Sequence, residues 1–479
     1  MPVGQWFNET TLHPIAFIAV LVLGTVMFIA PRRYALLPLL AVACFIASAQ
    51  VIVVATLDFN LLRIMVLIGW MRVVLRREYA EWRFKTLDGA VIAWVVVGAA
   101  ASTLLHMTFP AFIQRLGNTY DAIGIYFLCR LLVRNWSDVR AFVQGAAVMS
   151  LPVAALFLME KTTGRNIFSI FGGVPETTVV RLGHLRCQGP FAHPIMAGCF
   201  WAALAPMMWA LWFYRGWNRL LAAAGVAACL VVVITCASAT PLNGALFALL
   251  ALALFPLRRW MSWIRWAVVL GAVAVQLAMI SPIWHLMVRM DFVGGATGWY
   301  RSRIIDEFIR HFGDWWLVGT EGYPNWFPLG HTDIANQYIL QGLEGGLLTL
   351  LLFAAIIIIA FADVGRICRR AERRRYRLQQ APAGPSRASR LRIRRIRHSA
   401  QHVGIAWALG AALLVQCVVF TGTSYFGHTL LIWFVNLALI GSLAPARQLA
   451  RRAVVRLTPP RSDQPLVSRR MRAATHPEV

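Results

Sequence analysis

Two polar stretches of this 479-residue chain hold most of its candidates for chemistry. The later runs from Trp299 to Gln337 and carries Arg301, Arg303, His311, His331, Asp333 and Asn336. The earlier carries Arg181, His184 and Arg186, and His193 opens the apolar run after it. Arginine presents a planar fork of donors suited to phosphate, and histidine exchanges a proton near neutral pH. Only Glu176 stands near Arg181 and Arg186 as a balancing acid. Uncompensated basic groups beside imidazoles suggest a cradle for a pyrophosphate.

Within the later stretch, Ile304, Ile305, Phe308, Ile309 and Phe312 fall on one helical face, so Trp299–Phe312 reads as an amphipathic helix near a membrane surface. On its polar face Arg303 can pair with Glu307, and Arg310 with Asp306 and Asp314. Arg301 has Ile304 and Ile305 at those spacings, which leaves it for an anion. His331 follows a turn containing Gly and Pro and is the best-placed general base of the stretch; a lone surface imidazole is the plainer reading. Asp333 is a plausible cap for a helix beginning there. Glu344 and Arg63 lie inside apolar runs, where charge is costly; they either pair with each other or line the site.

No HExxH, Walker loop, paired outer-loop carboxylates or GxSxG elbow is present, which disfavours metal- and nucleotide-dependent mechanisms. The eight cysteines show no CxxC spacing and read as small buried apolar groups.

The elements that must hold these residues are membrane helices. The chain is 59% hydrophobic and 14% charged, against roughly 45–50% and 25% for soluble domains. About thirteen apolar runs, from Ile15–Ala30 and Ala35–Thr56 to Val403–Phe420 and His428–Leu443, predict an all-α polytopic protein with about 12–14 transmembrane helices. The first run lacks a basic leader and a cleavage site, so it reads as a helix rather than a signal peptide. With the N-terminus outside and the C-terminus cytoplasmic, 36 of the 46 Lys and Arg fall inside and 9 outside, with Arg63 in a span. That is the bias the positive-inside rule requires. Eight of the nine outer ones sit in two long outer loops, 160–190 and 288–336.

The expected organisation is a bundle over 1–362, a basic cytoplasmic loop over 363–402, last transmembrane helices over 403–445 and a basic tail over 446–479. Loop and tail read as solvated, partly disordered and facing membrane lipids. The net charge of +26 is spread through short loops, which argues for topology and anionic lipid and against nucleic acid.

This arrangement resembles the O-antigen ligase and O-antigen polymerase superfamily of bacterial membrane glycosyltransferases. The resemblance rests on Arg-Cys-Gln-Gly-Pro-Phe-Ala-His-Pro at Arg186–Pro194, Arg301 and Gly319 in a large late outer loop, and Asn336-Gln337-Tyr338-Ile339-Leu340 through Glu344 and Gly346. It implies a GT-C-like bundle in the bacterial inner membrane and transfer, without metal or cofactor, from an undecaprenyl-pyrophosphate-linked glycan to a sugar hydroxyl, with other polysaccharide-assembly proteins as further partners. Arg301, Arg186, Arg181 and Arg303 would hold the pyrophosphate. His331 would serve the acceptor, supported by His184, His193, Asp333, Asn336 and Glu344. The family carries a His immediately before the Asn. Here that position is Ala335, and His331 lies one helical turn earlier on the same face. The departure favours polymerase over ligase. The competing class is a lipid-linked glycan transporter, which would spread polar residues over several spans and show inverted repeats. Charges confined to two outer loops favour the enzyme.

Overall fold

The computed structural model of the chain describes residues 10–54, 57–290, 297–326, 333–380 and 386–445. The tail 446–479 lies outside them. So does His331.

The described chain is helical almost throughout. It comprises α1 (Pro14–Ile29), α2 (Leu37–Phe45), α3 (Leu61–Leu75), α4 (Thr86–His106), α5 (Phe109–Leu132), α6 (Trp136–Thr163), α7 (Pro194–Trp209), α8 (Trp217–Thr235), α9 (Ala239–Ala253), α10 (Met261–Ala278), α11 (Thr297–Arg310), α12 (Phe312–Trp315), α13 (Gln337–Gln380), α14 (Ser386–Val419) and α15 (Thr429–Leu443). Two small hairpins complete it: β1 (Val51–Val54) with β2 (Leu57–Asn60), and β3 (Val179–Arg181) with β4 (His184–Arg186). Seven helices among the described residues are long and apolar enough to cross a membrane, and α1, α9 and α15 are shorter apolar helices.

Local signals start and stop these helices. Pro14 and Pro194 take the first helical position of α1 and α7, where a missing N–H costs nothing, and His13 and His193 cap them. Asn135 and Asp138 form a reciprocal capping box on α6, which Gly164 ends at φ +70°.

Two ends of the bundle can be told apart by their contacts. At one, the loop end, Ser48 N–H donates to the Pro190 carbonyl, Cys187 N–H to Thr235 and Gln337 N–H to Phe420. At the other, the arginine end, Arg32 donates to the Leu132 carbonyl, Lys85 Nζ to Gly441 and Ser442, and Arg258 Nε meets Glu372 at 2.8 Å. The loops sorted to opposite sides by charge thus gather at opposite ends.

Three expectations need correction. The run Ala35–Thr56 is not one helix: α2 stops at Phe45, and the β-branched Val51-Ile52-Val53-Val54 pairs with Leu57–Asn60. Residues 363–402 are not an open loop. Arginine is a good helix former, so α13 runs on to Gln380 and α14 begins at Ser386. Arg63 and Glu344 do not pair with each other: Arg63 meets Asp121 at 2.7 Å and Arg115 meets Glu344 at 3.1 Å.

Candidate functional site

The first polar loop is held by the last turn of α6. Glu160 is 2% exposed, and its carboxylate accepts Gln188 N–H and Gly189 N–H, each at 3.0 Å, and the Thr178 hydroxyl at 3.3 Å. Lys161 Nζ donates to the Leu185 carbonyl, and Asn166 Nδ2 to that of Gly189. Gly189 sits at φ +55°, where a Cβ would collide with the Phe157 ring. This clamp presents the β3–β4 hairpin, whose two-residue turn, Leu182 and Gly183, has positive φ at both positions.

Register then decides which side chains share a face. Arg181 pairs directly with His184, and His184 and Arg186 are two apart on β4. All three therefore lie on one face of the hairpin. Arg186 is buried, and among the described residues its Nε has no partner. Burial lowers its pKa, with repulsion from Arg181 adding. His193 is a near neighbour. Its Nδ1 accepts Ile195 N–H at 3.1 Å as the cap of α7, which leaves Nε2. Burial first, then Arg186 and Arg181, pull its pKa down to about 4. The imidazole is therefore neutral at pH 7, in a field that favours an anion. Glu176 does not balance these groups; it faces Arg165 at 4.0 Å.

The second polar loop reaches the same place through the elbow between α8 and α9. Arg301 Nη2 donates to Thr240 Oγ1 at 2.8 Å. Gly422 closes over this contact: a Cβ there would lie 3.2 Å from the Arg301 guanidinium carbon and 3.0 Å from Thr240 Oγ1. Five residues back along the elbow, Thr235 accepts Cys187 N–H, beside Arg186. Arg186 and Arg301 thus flank one turn at the loop end. The N-terminus of the sixteen-residue α7 lies beside them; its first amides are taken by His193, Ile195 N–H by Nδ1 and Met196 N–H and Ala197 N–H by the carbonyl, so it offers an anion only the positive end of its dipole.

α11 is only partly the surface helix expected. Ile304 and Phe308 are buried with Trp315, Ile339 and Leu343 in a small core of their own, while Ile309 and Phe312 are exposed. Arg303 meets Glu307 at 3.8 Å, as its spacing suggested, and lies over the Trp299 ring. Arg310 does not pair with Asp306 or Asp314. It meets Glu307 at 3.1 Å, because Asp306 accepts Trp284 Nε1 and Asp314 pairs with His311.

The helix start near Asp333 is also corrected. Residues 333–336 are not helical, Asp333 is exposed, and its carbonyl accepts the Tyr300 hydroxyl. Asn336 caps α13 instead, its Oδ1 accepting Tyr338 N–H at 3.0 Å and Ile339 N–H at 3.2 Å. Ala335 is therefore not on a helix, and the shared-face argument for His331 does not hold there. His184 is exposed on the hairpin. Glu344 faces a different space, a cavity of about 50 Å³ lined by Trp94, Arg115 and Gln341. Gly346 beside it breaks α13 at φ +72°. Leu347 N–H leaves the helix ladder to donate to Trp316, and a Cβ at Gly346 would collide with the Leu317 carbonyl. Gly319 answers from the other side at φ +102°, against the Leu343 carbonyl.

Four contributors were not found from sequence. Glu160, Thr240 and Gly422 act through contacts between segments far apart in the chain. His428, after Gly427 at φ +57°, is buried edge-on to Phe191, and among the described residues its Nδ1 has no partner. Its position opening α15 at the loop end was the available signal. Among the described residues no group of three or more His, Cys, Asp or Glu could hold a metal ion.

No family model and no curated protein matches the chain.

Proposed function

We propose that this protein is a membrane glycan polymerase or ligase. It transfers a polyprenyl-pyrophosphate-linked glycan to a sugar hydroxyl at the loop end, on the face of a bacterial inner membrane away from the cytoplasm. The observation that carries this reading is that both polar loops tie to the α8–α9 elbow, Cys187 N–H next to Arg186 to the Thr235 carbonyl and Arg301 Nη2 to Thr240 Oγ1. A departing diphosphate needs positive charge already in place where its own charge develops. Two guanidinium groups and Arg181 on the same hairpin face supply it, with the positive end of the α7 dipole adding to them. Arg303, paired with Glu307, takes a supporting part. The neutral His193 and, from sequence, His331 are the bases available to an acceptor hydroxyl. The apolar flanks of the bundle suit a polyprenyl tail. Polymerase remains ahead of ligase because Ala335 stands before Asn336.

A transporter of lipid-linked glycans is the second reading. The break of α13 at Gly346 is the observation that favours it, since discontinuous helices are common at transport sites.

The test is Arg301→Ala at matched protein level, with lipid-linked saccharides resolved on a gel. Chain extension should be lost, and single repeats should accumulate on the outer face. Normal glycan ladders would remove Arg301 from the mechanism. Saccharides trapped on the cytoplasmic face would select the transporter.

A further inference from the structure

The arginine end carries a site that the proposed reaction does not use. Arg370, Arg373, Arg374 and Arg377 recur at i, i+3, i+4 and i+7 on the extension of α13, which puts them on one face. They line a cleft of about 390 Å³, floored by Leu378. All four are exposed, and among the described residues none of them makes an ion pair. The acids of the segment are engaged elsewhere: Asp363 with Arg366 at 2.6 Å and Glu372 with Arg258 at 2.8 Å.

The cleft is a built feature of a rigid element. Arg392 of α14 donates to the carbonyls of Leu378 and Gln379, closing the last turn of α13, and the Ser399 hydroxyl donates to the Ala371 carbonyl. Behind it His402 stacks on Trp136, with ring centroids 4.0 Å apart. Four like charges held on one face repel one another, and an ordered helix cannot spread them. A bound polyanion relieves that repulsion.

Depth suggests the ligand. At about 1.5 Å per residue, Arg366 lies roughly 30 Å along α13 from the Gly346 break, the thickness of a hydrocarbon core. Arg370 then stands about 6 Å beyond, at headgroup level, and Arg377 about 16 Å beyond, in water. We infer that the Arg370–Arg377 face is a phosphate-binding cleft at the membrane boundary, one that takes either the headgroup of an anionic phospholipid or a soluble di- or polyphosphate. Guanidinium forks bind phosphate oxygens in pairs, which point charges on the surface do not.

The experiment uses the full chain in uncharged detergent, in an Arg186→Gln background so that the loop end contributes no second anion site. Retention of phosphatidylglycerol over phosphatidylcholine is read by native mass spectrometry, and inorganic pyrophosphate binding by titration calorimetry. Replacing the four cleft arginines with Gln should weaken at least one ligand by about tenfold or more. The milder Arg373→Gln/Arg377→Gln keeps the packing and should show part of that loss. A control removes the same charge from α14, with Gln at Arg390, Arg394, Arg395 and Arg397, and should retain binding within about twofold. Loss of phosphatidylglycerol alone identifies the lipid headgroup, and loss of pyrophosphate alone the soluble anion. Equal weakening in the α14 control, or no binding by the parent protein, overturns the site.

Discussion

The two ends of the bundle treat arginine differently. At the arginine end a buried guanidinium is matched to a carboxylate. Arg72 meets Glu78 at 2.9 Å, and Arg130 meets Asp88 at 2.9 Å with Tyr126 donating to the same carboxylate. Arg32 meets Asp138 at 3.0 Å. At the loop end Arg63 and Arg115 are matched too, but Arg186 is an exception: it is buried, and among the described residues it meets no carboxylate and its Nε has no partner, an orphaned atom it shares only with less buried arginines such as Arg140 and Arg375. Burying charge without a partner is costly, so such an arrangement persists where a ligand completes it. The matched pairs hold helices together; in the proposed reaction the unmatched group is the one that takes the anion.

Removing a carboxylate from a matched pair should therefore have the largest effect of any single change. Asp88→Ala leaves Arg130, 4% exposed on its side chain, without its partner. Breaking a buried pair from one side costs about 3–5 kcal/mol, so the variant should lose most of its folded yield. Thermal unfolding of the purified protein reads this directly. A shift of only a degree or two would mean the pair is solvated and the contrast between the ends is false.

Arg186→Gln should do the reverse. Stability should hold or rise, because an uncompensated buried charge is removed, while glycan transfer should fall by about 100-fold, the usual loss when one preorganised donor is taken from a developing negative charge. A second readout comes from His193. Its folded pKa, about 4, lies below the ordinary value of 6.5, so the folded protein binds fewer protons than the unfolded chain between those values. The stability tied to neutral His193 is thus fully present above pH 6.5 and declines as pH falls toward 4. In Arg186→Gln the His193 pKa should rise while staying below 6.5, since burial, the first cause, remains. The acid loss should shrink accordingly. Histidine modification rates followed against pH measure the shift.

How far the sequence reaches follows from which interactions are local. Apolar runs and the charge bias are local, and they place most helices to within a few residues. Arg303–Glu307 is also local, one turn apart on α11. The failures come where a distant segment competes. Val51–Val54 is apolar enough for a span, yet a hairpin partner six residues on claims it. Arg310 had two acids at helical spacing, but Trp284 and His285 from the preceding segment take Asp306. Glu344 and Arg63 were both buried charges in need of a counterion, and sequence could not say that Arg115 and Asp121 stood nearer. That both polar loops tie to one elbow agrees with expecting them on one side. The elbow itself, with Thr240 and Gly422, came only from the packing of α7, α9 and α14.

The smallest effect separates neighbours in the motif at the start of α13. Asn336 and Asp333 both looked like caps, and only Asn336 makes the contacts. Its Oδ1 satisfies two of the otherwise unpaired amides, and its Nδ2 reaches the Thr421 carbonyl at 3.5 Å. Losing such a cap costs about 1 kcal/mol. The same turn ties Gln337 to Phe420 and Tyr425, and so fixes the connection between α14 and α15 that brings Gly422 over Arg301. Asn336→Ala should therefore lower the unfolding midpoint slightly and lower transfer with it, and Asn336→Asp, which retains an acceptor, should restore both. Asp333→Ala should leave stability unchanged, since its side chain caps nothing. If Asn336→Ala keeps its midpoint yet loses transfer, and Asp does not rescue it, Asn336 touches substrate, and the motif belongs with Arg186 and Arg301 rather than with the helix it begins.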